Sequence, residues 1–266
     1  MPAIYPARLK QQTARVAESF DEPALLVRRL ISLLETYADY THRPGLVSPT
    51  PTLLKTFHTP LPVLRQALAA FKDKARQKPG SALAVCDAFW SEDIFECRWL
   101  AVHLLSQLPL ELAQASVQRL HTWITEMPDE SLWRALEDAD FSQLRRTASA
   151  ALTGYAREWL QKRDQQEIKR GMQLIKFLLT GDEFQDLPSI FRLIAPFLRQ
   201  APAPLRPDIL DILTMLARQS PHETMQSLLQ ALNSIDNPDT PWLIRQILSE
   251  FPPESQRTLR LALKSS

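Results

Sequence analysis

An arginine recurs along the chain inside a similar apolar frame, in the segments VLRQAL, CRWLAVHLL, LWRAL, KRGMQLIKFLL, LRPDILDIL and LIRQIL. These residues are Arg65, Arg98, Arg134, Arg170, Arg206 and Arg245, and consecutive ones are 33, 36, 36, 36 and 39 residues apart. A period of this length has room for two helices of about 12 to 15 residues and two turns, the unit of helical repeat arrays. The spacing therefore predicts about six helix-pair repeats.

The type of repeat follows from what the segments lack. Tetratricopeptide repeats have a similar period, but their Trp, Gly, Tyr and Ala pattern is absent, and the chain has only five glycines. Runs of Val, Ile and Thr with two-residue alternation, which would indicate a sheet, are also missing. We therefore predict an all-α protein, an α-α superhelix of the HEAT-like repeat solenoid type, built as a single domain over residues 1–266.

Prolines divide the chain into helical segments. The breaks between apolar helical runs are PTPTL, KPGS, LPLE, MPDES, TGDEFQDLP, APAPLRPD, SPHET, NPDTPW and FPPES. A proline in the first turn of a helix costs little, because its missing N–H would have no partner within the helix. The breaks therefore predict helix starts.

The first 40 residues lie outside the arginine register. LKQQTARVAESF and PALLVRRLISLLETYADY predict two helices. The second of these is expected to pack four leucines inward: Leu25, Leu26, Leu30 and Leu33. We expect an N-terminal helical cap over residues 1–40, an irregular loop leading into the array over residues 41–60, and HEAT-like repeats over residues 61–266.

The chain lacks the motifs of the common enzyme classes: a phosphate-cradling glycine loop, a nucleophile elbow, a zinc motif and a dinucleotide fingerprint. Cys86 and Cys97 have no His or Cys cluster at metal-ligand spacing, and two thiols do not make a disulfide scaffold. We expect His103, inside an apolar helix, to be a packing residue. The sequence thus predicts no metal site and no cofactor.

The N-terminal segment MPAIYPARLKQQ has no hydrophobic signal core, and no apolar run approaches the roughly 20 residues that span a bilayer. We therefore expect a cytoplasmic protein without a membrane partner. Two isolated thiols fit such a reducing compartment.

Charge is distributed unevenly, although the net charge is only +1. Residues 1–78 carry 12 Lys and Arg against 6 Asp and Glu, residues 79–143 carry 3 against 11, and residues 144–170 carry 7 against 3. A solenoid brings the same face of successive units together, so basic zones could form a phosphate-binding stripe. Solvated helix faces would give the same counts.

Two further features have two interpretations each. The recurring arginines, expected to begin the second helix of each pair, either tie neighbouring units together or form a row of guanidinium groups for phosphates. Trp133 has Glu137 four residues on and Asp138 beside it, an arrangement that can hold a cationic group. The alternative is a core Trp beside a solvated acidic helix end.

Four stretches resemble the HEAT-like DNA alkylation-repair family, the AlkD-like alkylpurine glycosylases. They are HTPLPVLRQAL, FWSEDIFECRWLAVHLL, REWL with EIKRGMQLIKFLL, and LARQSPHETMQSLLQAL, and the resemblance extends from about residue 55 to residue 250. It implies hydrolysis of the glycosidic bond of a cationic N3- or N7-alkylated purine in DNA. Such a purine is already a good leaving group, so the protein mainly stabilises the charge on the sugar and places a water.

The resemblance also implies catalytic residues. The family's Trp and Asp fall at Trp133 and at Glu137 or Asp138, and its Arg falls at Arg170. A second Trp of the family is replaced, since the best-aligned position is Asp211. A divergent glycosylase and a non-catalytic relative both fit this pattern.

The leading hypothesis is therefore a protein that binds double-stranded DNA, with alkylated purines as its substrate. Its predicted basic stripe consists of five residues: Arg145, Arg146, Lys162, Arg163 and Lys169. The rival is a non-catalytic scaffold that binds other proteins, the commonest use of helical solenoids. The near-neutral net charge and the acidic segment 79–143 favour the rival.

Overall fold

The computed structural model describes residues 4–40, 52–127, 130–181, 183–235 and 237–265. Over these ranges the chain forms fifteen α-helices and no strand. The one β-bridge in the described ranges pairs Lys55 with Ile94. The prediction of an all-α protein is confirmed.

Residue contacts divide the chain into two compact units, residues 1–144 and residues 145–266. Unit 1 contains α1 (Pro6–Ala17), α2 (Pro23–Thr36), α3 (Leu61–Gln77), α4 (Pro79–Trp90), α5 (Phe95–Leu105), α6 (Ala113–Glu126) and α7 (Glu130–Asp138). The division between the units falls within α8 (Ser142–Thr147). Unit 2 contains α9 (Ser149–Leu160), α10 (Gln165–Leu179), α11 (Leu187–Arg199), α12 (Arg206–Gln219), α13 (Pro221–Leu232), α14 (Thr240–Ile247) and α15 (Pro253–Ser265). One domain over residues 1–266 stays a prediction.

Proline begins many of these helices, as the breaks predict. A proline occupies the first or second position of α1, α2, α3, α4, α11, α12, α13 and α14. Its ring fixes φ near the helical value, and no intrahelical hydrogen bond is lost at these positions. Where proline is absent, as at α10, Asp164 caps the helix by accepting hydrogen bonds from the backbone N–H groups of Gln166 and Glu167.

Helices in unit 1 pack in two alternating rows. In the first row α1 contacts α3, α3 contacts α5, and α5 contacts α7. In the second row α2 contacts α4, and the stacked rings of Trp90 and Trp123, 4.6 Å apart, join α4 to α6. The predicted core residues Trp90, Trp99 and Trp123 are all buried. The stack of Trp90 on Trp123 is thus an apolar contact within the second row.

Unit 2 has the same alternation. One row contains α10, α12 and α14, and the other contains α9, α11, α13 and α15. The recurring arginines lie in alternate helices, in α3, α5 and α7 of unit 1 and in α10, α12 and α14 of unit 2. The arginine frame thus marks one row in each unit.

Polar contacts explain the period of the sequence. Trp90 donates to Glu126 across 36 residues, Arg119 binds Asp87 across 32, and Lys176 binds Asp211 across 35. Each contact joins two successive helices of one row. A spacing close to 36 residues therefore brings side chains of neighbouring repeats together within each unit.

The predicted N-terminal cap contains the two expected helices, α1 and α2. Three of its four predicted inward leucines are buried, while Leu25 is half-buried. The array begins with α3 at Leu61, as the sequence predicts. Most of the predicted loop, residues 41–51, lies outside the described residues. Across the described ranges, no helix combines the length and the apolar character needed to cross a membrane.

Candidate nucleic-acid interface

Four basic residues of the sequence hypothesis come together where α9 turns into α10. Lys162 and Arg163 are exposed in the turn, and Lys169 and Arg170 are half-buried in the first two turns of α10. We call this set the α9–α10 turn surface. Arg163 and Arg170 form no ion pair within the part of the chain that the structure describes. Their charge is therefore not neutralised by a neighbouring carboxylate.

Two carboxylates near this surface have partners. Lys162 lies 3.6 Å from Glu158, and both side chains are about half exposed, at 42% and 55%. Exposed pairs of this kind contribute little and are screened by salt. The Asp164 carboxylate accepts the two N–H groups at the start of α10, both at 3.0 Å. Glu167 is a third carboxylate, in the first turn of α10, so four basic residues against three carboxylates leave residues 158–170 with a net charge of +1.

A close contact between the two helices fixes the shape of this surface. Gly171 of α10 lies against α9, and a Cβ there would come within 2.9 Å of Leu160 Cγ and 3.2 Å of the Ala156 carbonyl oxygen. Glycine therefore lets the two backbones approach. Lys169 and Arg170 precede this contact directly, so their Cα positions are held against the end of α9.

The other two members of the predicted basic stripe lie elsewhere. Arg145 and Arg146 are in α8, just before the start of α9. Since α9 has 12 residues, it separates them from the turn by about 18 Å. The structure therefore divides the predicted stripe into two groups at opposite ends of α9.

The burial of Arg145 does not fit its predicted role as a contact to the DNA backbone. Its side chain is only 6% exposed, lies 3.4 Å from Glu183, and is 5.4 Å from the ring centroid of Phe177. Its Nε atom has no hydrogen-bond partner among the described residues. A guanidinium enclosed in this way offers no donor to a DNA backbone, so Arg145 is a packing residue of unit 2. Arg146 is exposed.

The residues implied by the resemblance to be catalytic are divided between the units. Trp133 is buried in α7 of unit 1, at 6% exposure, and Glu137 and Asp138 are exposed in the same helix. Arg170 lies in α10 of unit 2. Neither unit by itself brings the four together. The geometry of α7 matches a core Trp beside a solvated acidic helix end.

The position aligned with the family's second Trp carries an ion pair instead. Asp211 and Asp208 of α12 lie 3.2 Å and 2.9 Å from Lys176 Nζ of α10. Burial lowers the pKa of Lys176, but the hydrogen bond and charge of Asp208, together with Asp211, outweigh it, so the pKa is raised. Lys176 is charged at neutral pH and joins α10 to α12. The counts of charged residues along the sequence did not predict these two ion pairs of Lys176.

The recurring arginines do not form a uniform set. Arg98 donates to the Glu92 carbonyl oxygen at 2.9 Å and to Asp93 at 2.7 Å. Arg206 donates to Asp239, 33 residues on, and its guanidinium lies 4.8 Å from the Trp242 ring centroid. The other four have no hydrogen bond or ion pair to any residue that the structure describes: Arg65, Arg134, Arg170 and Arg245. Arg206 thus joins α12 to the residue before α14, as expected if the arginines connect neighbouring repeats. Arg98 instead binds Glu92 and Asp93, just before its own helix.

Sequence inspection missed a buried carboxylate in unit 1. Glu96 is 2% exposed, and its Oε1 accepts hydrogen bonds from Thr56 Oγ1, from the Phe57 N–H and from the Thr59 N–H, at 2.9, 2.9 and 3.2 Å. These bonds hold the segment before α3, in which His58 has a φ of 51°. Glu96 entered the sequence analysis only within the acidic count for residues 79–143 and within the stretch FWSEDIFECRWLAVHLL, and neither gives information on its burial.

Burial shifts the pKa of three other titratable groups in unit 1. Desolvation lowers the pKa of His103 to about 4, and the positive charge of Arg65 contributes to this lowering. The His103 ring lies 3.8 Å from that of Trp99, as expected of a packing residue. Burial raises the pKa of the Cys86 and Cys97 thiols. Both thiols stay protonated, so neither is a reactive nucleophile.

No protein-family model and no curated protein matches the chain. Among the residues that the structure describes, no group of three or more His, Cys, Asp or Glu side chains is arranged to hold a metal ion. The alkylation-repair resemblance therefore rests on the sequence segments alone.

Proposed function

We propose that this protein binds the phosphate backbone of double-stranded DNA through the α9–α10 turn surface. The observation that carries the proposal is the grouping of Lys162, Arg163, Lys169 and Arg170 at one end of the α9–α10 pair. Lys and Arg side chains bind phosphates and release condensed counterions, which supplies most of the sequence-independent affinity for DNA. Arg163 and Arg170 are available for this because no carboxylate of the described residues pairs with them.

The alternating rows support a HEAT-like arrangement within each unit, and we propose that each unit is a stack of helix pairs of this type. Such stacks present long surfaces to extended partners. A DNA backbone is an extended partner with one charge per about 1.7 Å of duplex. The turn would supply two phosphate contacts, from Lys162 and Arg163, and α10 would supply two more, from Lys169 and Arg170.

The proposal extends to alkylated DNA through the family resemblance. The substrate would be a cationic alkylated purine, and Glu137 and Asp138 are the exposed carboxylates that could stabilise positive charge on the sugar. Trp133, being buried, would support the position of α7 and would not touch the base.

Binding is tested with a labelled duplex of random sequence. The variant Lys162→Ala, Lys169→Ala, Arg163→Ala removes three charges from the surface, and we expect it to bind roughly tenfold more weakly or worse at moderate salt. The matched control removes three charges from α15 of the same unit: Arg257, Arg260 and Lys264, each changed to Ala. Equal binding by the wild type and the turn variant would remove this surface from the proposal.

Catalysis is tested separately, by release of methylated purines from alkylated duplex DNA. We expect release by the wild type and none by Glu137→Gln combined with Asp138→Asn. DNA binding without release by the wild type would leave a non-catalytic DNA-binding protein. Absence of both binding and release would favour the rival scaffold, for which the exposed acidic residues of α7 are a suitable protein-binding feature.

A further inference from the structure

A groove runs along the boundary between α11 and α13 in unit 2. Its wider part, about 650 Å³, is lined by Gln185, Leu187, Pro188, Phe191, Arg192, Ser220 and Glu223. A narrower part of about 310 Å³ continues from Phe191 and Arg192 to Arg199 and Ser234. Volumes of this size are typical of clefts that bind ligands.

The two walls of the groove differ in chemistry. On α11, Leu187, Phe191, Ala195 and Leu198 are three or four residues apart and therefore form one apolar face. The α13 wall consists of small and polar side chains, among them Ser227 and Gln230. Short side chains on α13 leave space beside Phe191 that the packing of the two helices does not fill.

The rim of the groove carries three charged side chains, Arg192, Arg199 and Glu223. Arg192 and Arg199 are exposed and seven residues apart, two turns or about 10.5 Å along α11. Neither forms an ion pair with a described residue. Glu223 lies at the opposite, wider end, where the Ser220 hydroxyl donates to its carboxylate and holds its pKa below the ordinary value. The rim thus has two positive charges and, beyond them, one negative charge.

We propose that this groove binds an amphipathic helix of a partner protein, with acidic residues seven positions apart facing Arg192 and Arg199. A helix suits the groove because its side chains at i, i+4 and i+7 enter an apolar cleft, whereas an extended strand needs an open backbone edge that two helices do not offer. Glu223 sets the direction, since a basic residue of the partner lies at that end. This site is independent of the proposed DNA surface.

The probe is a phage-displayed library of random peptides of about 16 residues, long enough for four helical turns, selected on the full-length protein. Enriched peptides should have apolar residues at i, i+4 and i+7 and acidic residues seven apart. In fluorescence anisotropy, Arg192→Glu with Arg199→Glu should weaken their binding about tenfold or more. Changing the peptide's acidic residues to Lys should restore binding to this variant.

Two further variants separate the groove from general charge effects. Arg257→Glu with Arg260→Glu makes the same charge change on α15 and should leave peptide binding unchanged. Ala195→Trp fills the groove without a charge change and should abolish binding. The proposal is overturned if no such peptides are enriched or if the Arg192→Glu, Arg199→Glu variant binds them normally. It is also overturned if sedimentation shows that Ala195→Trp dissociates a dimer of this chain, because the groove would then hold a second copy.

Discussion

The two ends of the α9–α10 pair use positive charge in opposite ways. At the end where α9 begins, Arg145 is enclosed between Glu183 and the Phe177 ring. At the other end, Lys162 and Arg163 are exposed in the turn. Both ends come from one basic segment of the sequence, residues 144–170. Arg145 therefore acts in packing, whereas Lys162 and Arg163 are open to solvent.

The largest effect expected from this difference is on stability. Arg145→Ala removes the partner of Glu183 and empties the space over Phe177, so it should lower the free energy of unfolding by about 3 kcal/mol. The exposed neighbour is the control, since Arg146→Ala should cost less than about 0.5 kcal/mol. Urea unfolding followed by circular dichroism measures both. Equal effects of the two substitutions would show that burial does not distinguish the two arginines.

Burial also makes the stability of unit 1 depend on a titratable group, His103. His103 has its pKa lowered to about 4, so between pH 6.5 and pH 4 the unfolded chain binds a proton that the folded chain does not. Stability should therefore fall as pH drops through this window and level off below it. The full shift corresponds to roughly 3 kcal/mol, and partial exposure of the ring reduces this to about 2.

His103→Leu should remove this part of the acid sensitivity. Unfolding free energies at pH 7 and pH 4.5 provide the measurement. If the wild type and His103→Leu lose the same stability on acidification, the burial account of His103 is wrong.

Gly171 and Gly154 differ in the space available beside their Cα atoms. Gly171→Ala places a methyl group against Leu160 and the Ala156 carbonyl, so a net loss of about 1 kcal/mol is expected. At Gly154, in α9, an added Cβ would meet nothing within 4 Å, and Gly154→Ala should stabilise by about 0.5 to 1 kcal/mol. Thermal melts of the two variants should shift in opposite directions. Shifts in the same direction would contradict the close approach at Gly171.

Much of the helical framework could be predicted from the sequence. The arginine period, the prolines at helix starts and the leucines of the cap depend on local rules, and α1, α2 and the start of α3 at Leu61 follow them. The buried rings of Trp90, Trp99 and Trp123 were also predictable, because large apolar side chains in apolar helices are usually buried.

The candidate site was less predictable, because burial and pairing depend on distant residues. Nothing near Arg145 in the sequence indicates Glu183, 38 residues away. Asp208 and Lys176 are likewise separated by nearly a full repeat, and they meet because α10 packs on α12. Trp133 and Glu137 share a helical face by spacing, yet one is buried and the other exposed. Their different burial is set by how the rest of unit 1 packs around α7.

The salt dependence of duplex binding is the decisive measurement for the proposed DNA surface. The logarithm of the association constant falls linearly with the logarithm of salt concentration, with a slope of about 0.9 per phosphate contact. Changing Lys162, Arg163 and Lys169 to Ala should reduce this slope by about 2 to 3. The α15 control, Arg257, Arg260 and Lys264 changed to Ala, should keep the wild-type slope. An unchanged slope in the turn variant, or an equal reduction in the control, would contradict the proposal that the α9–α10 turn surface binds DNA.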